Sequence, residues 1–352
     1  MAKNICGIQQ IGVGVRNSEK AWKWYRDQFG MDINVFEDTA IAKLMLPHTD
    51  GLTRERYAAL AVNLEGGGGF EIWKHTGMDP RDPDFDVQLG DTGIFVSKIK
   101  SRQIENAYSL HKKRGLNILS ELQTDPSGTR HYFIKDPYNN IFQVVEEMVF
   151  YKKQKSVTGG NYGAIIGVSD IDKALPVYDG ILDYNEVVYD KTGVFPDLKN
   201  LPGGDKSYRR VLLKHKKPRI GPFSNLLGPT QIELVQAIDR KPIKIFRNRI
   251  WGELGFIHLC FDIKGMDDLR KECAQKGFKF TVDSAESFDM GVAAGHFSYI
   301  EDPDGTLIEF VETHKLPIIK KLGWYMNLKD RDPQKTLPNW MINTMSFGRI
   351  KD

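Results

Sequence analysis

The sequence has little of what marks a secreted, membrane-bound or thiolate-metal protein. Its 352 residues include three cysteines, Cys6, Cys260 and Cys273, which are widely spaced and odd in number. This usage favours neither a disulfide framework nor a thiolate metal site. No apolar run approaches the roughly 18 residues of a membrane-spanning helix, and the first ten residues, MAKNICGIQQ, lack the apolar core of a secretion signal. We therefore expect a cytoplasmic protein with no membrane partner.

A strong net charge is also absent, since the formal value is only +3. The densest basic cluster, KHKKPR at 214–219, is short, and short charge runs are typical of solvated loops. We therefore expect no nucleic-acid partner. The 41% apolar and 27% charged residues are typical of a folded globular protein, and the length favours two domains.

What the sequence does contain is an internal repeat. Four segments share one plan of a short strand, a helix and several further strands; they begin at QIGVGVRNSEKAWKWYRDQFG, DTGIFVSKIKSRQIENAYSLHKKRG, GAIIGVSDIDKALPVYDGILDY and HLCFDIKGMDDLRKECAQKG. In the first, Trp22, Tyr25 and Phe29 recur at helical spacing and Gly30 can end the helix. In the third, Pro176 falls inside the helical stretch and predicts a late start or a kink.

Each repeat, or module, closes with a strand. Modules two and four close after Asp-Pro turns, DPYN at 136–139 and DPDG at 302–305. In three closing strands a glutamate, Glu71, Glu233 or Glu309, interrupts an apolar run. A carboxylate that faces a sheet interior is costly unless it is paired or binds a cation. The alternative is that these glutamates lie on the solvated face of an edge strand.

Four βαβββ modules resemble the vicinal oxygen chelate superfamily, which includes glyoxalase I, extradiol dioxygenases, 4-hydroxyphenylpyruvate dioxygenase, methylmalonyl-CoA epimerase and bleomycin-resistance proteins. The resemblance covers about residues 5–313 and is most specific in module four, at HLCFDI and YIEDPDGTLIEF. It implies an α+β fold in which paired modules form two cup-shaped mixed sheets. It also implies that metal ligands come from the first and last strands of each module.

The resemblance implies two candidate ligand positions in each module. In chain order these positions are Gln10 and Glu71, Asp91 and Gln143, Gly163 and Glu233, and His258 and Glu309. An imidazole with two carboxylates suits a divalent ion such as Fe(II), Mn, Ni or Zn and leaves coordination positions open.

Which ligands share a metal depends on which modules pair. We expect neighbouring pairs, which give an N-terminal domain at 1–152, a C-terminal domain at 160–313 and an extension at 314–352. The C-terminal cup then contains Glu233, His258 and Glu309. If module one instead pairs with module four, as in fused glyoxalase I enzymes, the set becomes the Gln, Glu, His, Glu quartet of some glyoxalases: Gln10, Glu71, His258 and Glu309.

Two side chains in module four are candidates for acid-base chemistry. Tyr299 lies ten residues before Glu309, the spacing at which ring-cleaving dioxygenases of the superfamily place a proton-donating tyrosine. His296 is a general acid or base if it faces the cup. Because the two are an odd number of residues apart, a regular strand sends them to opposite faces, and we favour Tyr299.

These features predict a metal-dependent enzyme that acts on a small oxygenated or aromatic substrate, dioxygenase-like and with its site in the C-terminal cup. Ring-cleaving dioxygenases use two histidines and one glutamate, however, and here the first histidine falls at Gly163. A glyoxalase I-like lyase or isomerase, with a site shared by modules one and four, stays open as an alternative. So does a metal-free binding protein of the bleomycin-resistance kind. The extension can dock on the body, close one cup or form a homodimer interface.

Overall fold

The computed structural model describes residues 3–285, 288–289, 294–319, 324–329 and 331–351. Module one contains β1 (Asn4–Gly14), α1 (Ser18–Phe29), β2 (Ile33–Ile41), β3 (Glu55–Val62) and β4 (Gly69–His75). Module two contains β5 (Gly93–Ser101), α2 (Ile104–Lys113), β6 (Asn117–Ile118), β7 (Gln123–Thr124), β8 (Arg130–Lys135) and β9 (Ile141–Glu146). Both modules have the predicted order of strand, helix and strands.

The second half of the chain repeats this order. Module three contains β10 (Asn161–Gly167), α3 (Ile171–Leu175), β11 (Glu186–Gly193), β12 (Tyr208–Lys214), α4 (Ser224–Leu227) and β13 (Gln231–Ala237). Module four contains β14 (Gly255–Lys264), α5 (Met266–Gln275), β15 (Val282–Asp283), β16 (Phe288–Asp289), β17 (Ala294–Glu301) and β18 (Leu307–Ile319). The extension contains β19 (Trp324–Asn327) and α6 (Asn339–Asn343). In module three, α3 ends at Leu175 and the chain continues as a π-helical segment, Pro176–Ile181, which matches the expected disruption.

The strands form two mixed sheets, and this confirms the predicted α+β class. The first sheet has the order β15-β17-β18-β14-β1-β4-β3-β2, and the second has the order β11-β12-β13-β10-β5-β9-β8-β6. Each sheet is therefore built from two modules joined through their first strands, which run antiparallel: β1 with β14, and β5 with β10.

The prediction that neighbouring modules share a sheet is wrong. Module one shares a sheet with module four, and module two with module three, so neither 1–152 nor 160–313 corresponds to one sheet. Neighbouring modules meet through their helices instead. The Tyr25 hydroxyl of α1 donates to Asp136 of the module-two turn at 2.7 Å, and Tyr178 of module three donates to Asp302 of the module-four turn at 2.8 Å.

A helical layer lies between the two sheets and separates their apolar faces. One buried cluster includes Phe29 of α1, Phe142 of β9, Val177 and Phe310 of β18, and therefore residues of both sheets. A second cluster lies on the other, concave face of the first sheet and includes Leu60. Within the described residues, no helix is long and apolar enough to cross a membrane.

Candidate functional site

Three of the predicted ligands lie together on the concave face of the first sheet. His258 Nε2 lies 3.2 Å from Glu71 Oε2 and 3.1 Å from Glu309 Oε2. One ligand atom from each residue lies within 4.8 Å of the other two. These residues belong to β4, β14 and β18, so the site is shared by modules one and four.

The strand registers explain why these side chains meet. In β14, Leu259 and Phe261 face the helical layer, so His258 and Cys260 face the cup. Cys260 pairs with Glu309 across the parallel ladder of β14 and β18. On the other side, β1 lies between β14 and β4, and Gly12 of β1 pairs with Glu71. The three ligand strands are thus held by one hydrogen-bonded sheet.

Gly12 makes room for the imidazole. A Cβ atom at this position would lie 2.6 Å from His258 Cε1 and 2.9 Å from both ring nitrogens. Carbon atoms in contact are normally about 3.5–4.0 Å apart, so any other residue at position 12 displaces the ring. Gly12 could not be recognised from the sequence as a neighbour of a ligand, because a glycine inside a strand indicates only a close approach of some kind.

The donor atoms fit a divalent cation. His258 Nε2, Glu309 Oε2 and Gln10 Oε1 are buried, and among the residues that the structure describes none of them has a partner with hydrogen-bond geometry, which is costly for polar atoms. Two ligand atoms about 2.1 Å from one ion and about 90° apart are about 3.0 Å from each other, close to the separations between His258 and the two carboxylates. Gln10 lies on β1 and pairs with Cys260, and it is 4% exposed. Glu71, His258 and Glu309 therefore fit a divalent metal, and Gln10, on the strand between β14 and β4, offers a further buried oxygen donor.

The electrostatics of the three residues also favour a cation. Burial alone lowers the pKa of His258, but the charges of Glu309 and Glu71 outweigh it and raise the pKa to about 10. The two carboxylates thus attract positive charge into a buried site, either as a proton on the imidazole or as a metal ion.

Tyr299 and His296 lie on opposite faces of β17, as their odd spacing predicts. The Tyr299 ring is 5.6 Å from the His258 ring, edge to face, and Tyr299 pairs with Glu309 in register. Burial, with Glu309 and Glu71 nearby, raises the pKa of Tyr299 well above its ordinary value, so its phenol stays protonated. His296 instead contacts Asp283 at 2.6 Å, and its predicted role as an acid or base in the cup is wrong.

Glu233 does not join His258, so the predicted C-terminal cup is also wrong. It lies in the second sheet, in a buried ion cluster. Lys98 Nζ donates to Glu233 Oε2 at 2.7 Å, and Arg210 Nε donates to Glu233 Oε1 at 2.7 Å. Arg210 also binds Asp197, and Tyr189 donates to Glu233. Burial raises the pKa of Glu233, but Arg210 and Lys98 outweigh it and hold the pKa well below its usual range.

The other positions of the second sheet contain no ligand set. In the second sheet Lys98 pairs with Gln143, just as Cys260 pairs with Glu309 in the first sheet. His258 lies two residues before Cys260, so its counterpart lies two residues before Lys98. That residue is Val96 and not Asp91. Asp91 instead binds Arg240 at 2.6 Å in a loop. Gly163 has no side chain to offer, and its Cβ position is filled by the carbonyl of Gln231. The prediction of Asp91 as a ligand is therefore wrong.

Lys98 and Arg210 were missed by sequence reasoning. Both lie in strands rich in apolar residues, GIFVSKIKS and YRRVLLK, and both are at most 1% exposed. A cation inside an apolar strand indicates a buried anionic partner, because a buried charge is rarely left unpaired. The same logic that selected the glutamates was therefore available for these two residues.

The fold and the site together define a class of protein: paired βαβββ modules that form two curled sheets, with a His-carboxylate cluster in one of them. Residues 7–144 match the family model described as Glyoxalase/Bleomycin resistance protein/Dioxygenase superfamily. This match, over residues 7–144, confirms the resemblance inferred from the sequence. Comparison with curated protein sequences gives no significant match.

Solved structures of two other proteins have the same fold. Glyoxalase I from Zea mays is 14% identical, with a TM-score of 0.54 over 88% of this chain and 92% of that chain. A candidate dioxygenase from Bacillus subtilis subsp. subtilis str. 168 is 14% identical, with a TM-score of 0.58 over 88% of this chain and 86% of that chain. At these identities the likeness shows the fold alone. The family-model match supports a glyoxalase- or dioxygenase-type function in general terms.

Proposed function

We propose that this protein is a divalent-metal enzyme of the lyase or isomerase type, which moves a proton between neighbouring carbon atoms of a small oxygenated substrate. Its active site is the cluster of Gln10, Glu71, His258 and Glu309. The observation that supports this most is the convergence of two carboxylate oxygens on His258 Nε2 at 3.2 and 3.1 Å in a buried site.

The donor types favour this chemistry over ring cleavage. The set has one imidazole and three oxygen donors, whereas the ring-cleaving members of the superfamily use two histidines and one glutamate. In the pairing of modules one and four, the position of the first histidine is Gln10. A bound divalent ion would polarise a substrate carbonyl and stabilise the negative charge that forms when the adjacent carbon loses a proton.

The side chains of this chain supply the proton transfer. Glu71 and Glu309 approach His258 from two strands, and a carboxylate at this position can take a proton from carbon and return it to the neighbouring carbon. The step is redox-neutral overall and consumes no oxygen. The protonated Tyr299 phenol, beside Glu309, can donate a hydrogen bond to a substrate oxygen.

The experiment is to load the full-length protein with Mn, Fe(II), Ni or Zn and to test it against hemithioacetals of 2-oxoaldehydes, 2-hydroxy ketones and catechols. We expect isomerised product with incorporation of solvent deuterium and without oxygen uptake. Oxygen uptake with a catechol, and no exchange of a carbon-bound proton with any carbonyl substrate, would overturn the proposal. A Glu309→Gln variant serves as the inactive control.

A further inference from the structure

The C-terminal extension crosses the sheet that contains the candidate metal site. At one side, β19 pairs with β18, and Asn327 lies opposite Lys315. At the other side, Arg349 forms a bridge to Ile33 of β2, and Ile350 N donates to Asp32 O at 2.9 Å. Because β18 lies towards one edge of the sheet and β2 forms the opposite edge, the extension spans most of its width.

The extension lies on the concave face. Leu328 and Leu337 are fully buried and Ile342 is 1% exposed. They pack in one apolar cluster with Leu60 and Tyr299, whose strand neighbours face the helical layer on the other side. The extension therefore covers the face of the sheet on which the metal ligands lie.

One part of the extension packs against β2, the edge strand that lies two strands from Glu71. Glu71 pairs with Leu60 on the next strand, and Leu60 pairs with Phe36 on the edge strand β2, so Phe36 lies about 10 Å from Glu71. The 3-10 turn Thr344–Gly348 packs against β2. Met341 and Met345 pack on the cluster that includes Phe36.

Little of the metal site is open to solvent beneath this cover. The side chain of Glu71 is 14% exposed and that of Glu309 is 10% exposed, while His258 is fully buried. A substrate that reaches the metal must therefore be small or must contact the apolar walls of the cup. An apolar wall favours a substrate with an apolar group, because binding removes apolar surface from water.

We infer that Met341, Ile342 and Met345 form the substrate-selecting wall of the metal site. They select a small chelating substrate with a compact apolar group, and they exclude substrates with a bulky one. Methionine side chains adapt to irregular shapes, which suits a wall that contacts a ligand. This inference rests on the proposed function, because it requires a metal at Glu71 and its partners.

The test uses probes that share one chelating group and differ in apolar bulk. Full-length protein loaded with Co(II) is titrated with acetohydroxamate, benzohydroxamate and 2-naphthohydroxamate, and binding is followed by the visible absorption of cobalt. We expect the wild type to prefer benzohydroxamate to acetohydroxamate and to bind 2-naphthohydroxamate weakly. In Met345→Ala the affinity for 2-naphthohydroxamate should rise roughly ten-fold, the usual worth of a side-chain change in an apolar pocket, with acetohydroxamate unchanged.

The controls separate this inference from the proposed function. Phe347→Ala removes an 81% exposed side chain of the same segment and should leave all three affinities unchanged. Ile342→Ala is a second test, and Met345→Ala, which is less buried, decides the matter if Ile342→Ala fails to fold. If the wild type and Met345→Ala show the same selectivity among the probes, the inference is overturned. The proposed metal site is still supported in that case, provided that the protein binds cobalt. Failure of the wild type to bind cobalt overturns both.

Discussion

Replacing Gly12 with alanine should disable the metal site without touching a ligand. The added Cβ would lie 2.6 Å from His258 Cε1, about 1 Å inside normal contact, so the ring must move by about that distance. The backbone at Gly12 is not in the left-handed region, so alanine adds no strain of its own. The Tyr299 ring, 5.6 Å away, limits where the imidazole can go.

The expected loss of metal affinity follows from the displacement of one ligand, His258, from its position. Loss of an outer-shell partner alone typically costs 10–100-fold in metal affinity. Displacing the only imidazole by about 1 Å should therefore weaken metal binding by about 100-fold or more, which is about 2.7 kcal/mol. The assay is competition between the protein and a chromogenic chelator for Zn or Co(II), with circular dichroism to verify the fold.

Two controls make this prediction specific. Gly77→Ala adds a Cβ that meets nothing within 4 Å and should leave metal affinity unchanged. In a His258→Ala background, Gly12→Ala should have no further effect on metal affinity, because the two changes act through the same ring. A folded Gly12→Ala protein with wild-type metal affinity would refute the reasoning.

Two further predictions concern stability. Glu233→Gln should lower the free energy of unfolding by about 3 kcal/mol or more, because Lys98 and Arg210 stay buried without their shared anion. The control Asp190→Asn, at an exposed ion pair, should lower it by less than about 1 kcal/mol. Urea titration measures both losses, and equal losses would contradict the account. Burial lowers the pKa of His111 from 6.5 to about 4, so below pH 6.5 the unfolded chain binds a proton that the folded chain does not, and stability falls as the pH falls. Wild type should therefore lose about 2 kcal/mol more than His111→Gln between pH 7 and 4.5, and equal pH dependence in the two proteins would exclude this role.

The repeat made much of the fold predictable. Apolar periodicity and the two Asp-Pro turns placed each module, and the turn geometry agrees, since Asn139 and Gly305 both have positive φ. Module pairing was not predictable, because the first strands of all modules are buried on both faces and any two of them can pair. Only the tertiary structure selects β1 with β14.

The site shows the same limit. His258 and Glu309 were recognisable because both lie in the module-four segments that resemble the superfamily most specifically, HLCFDI and YIEDPDGTLIEF. Glu71 and Glu233 interrupt similar apolar strands, and nothing local separates a metal ligand from a member of an ion cluster. Glu233 belongs to an ion cluster because Lys98 and Arg210, from other strands, donate to its carboxylate.

The most direct test of the central claim is the metal content of proteins purified without chelator and measured by elemental analysis. The wild type and Glu233→Gln, examined at a temperature at which both are folded, should contain about one equivalent of a divalent metal, while Glu71→Gln should contain much less. This result is expected because Glu71, and not Glu233, lies 3.2 Å from His258 Nε2. A wild type without metal, or metal lost in Glu233→Gln and retained in Glu71→Gln, would contradict the account.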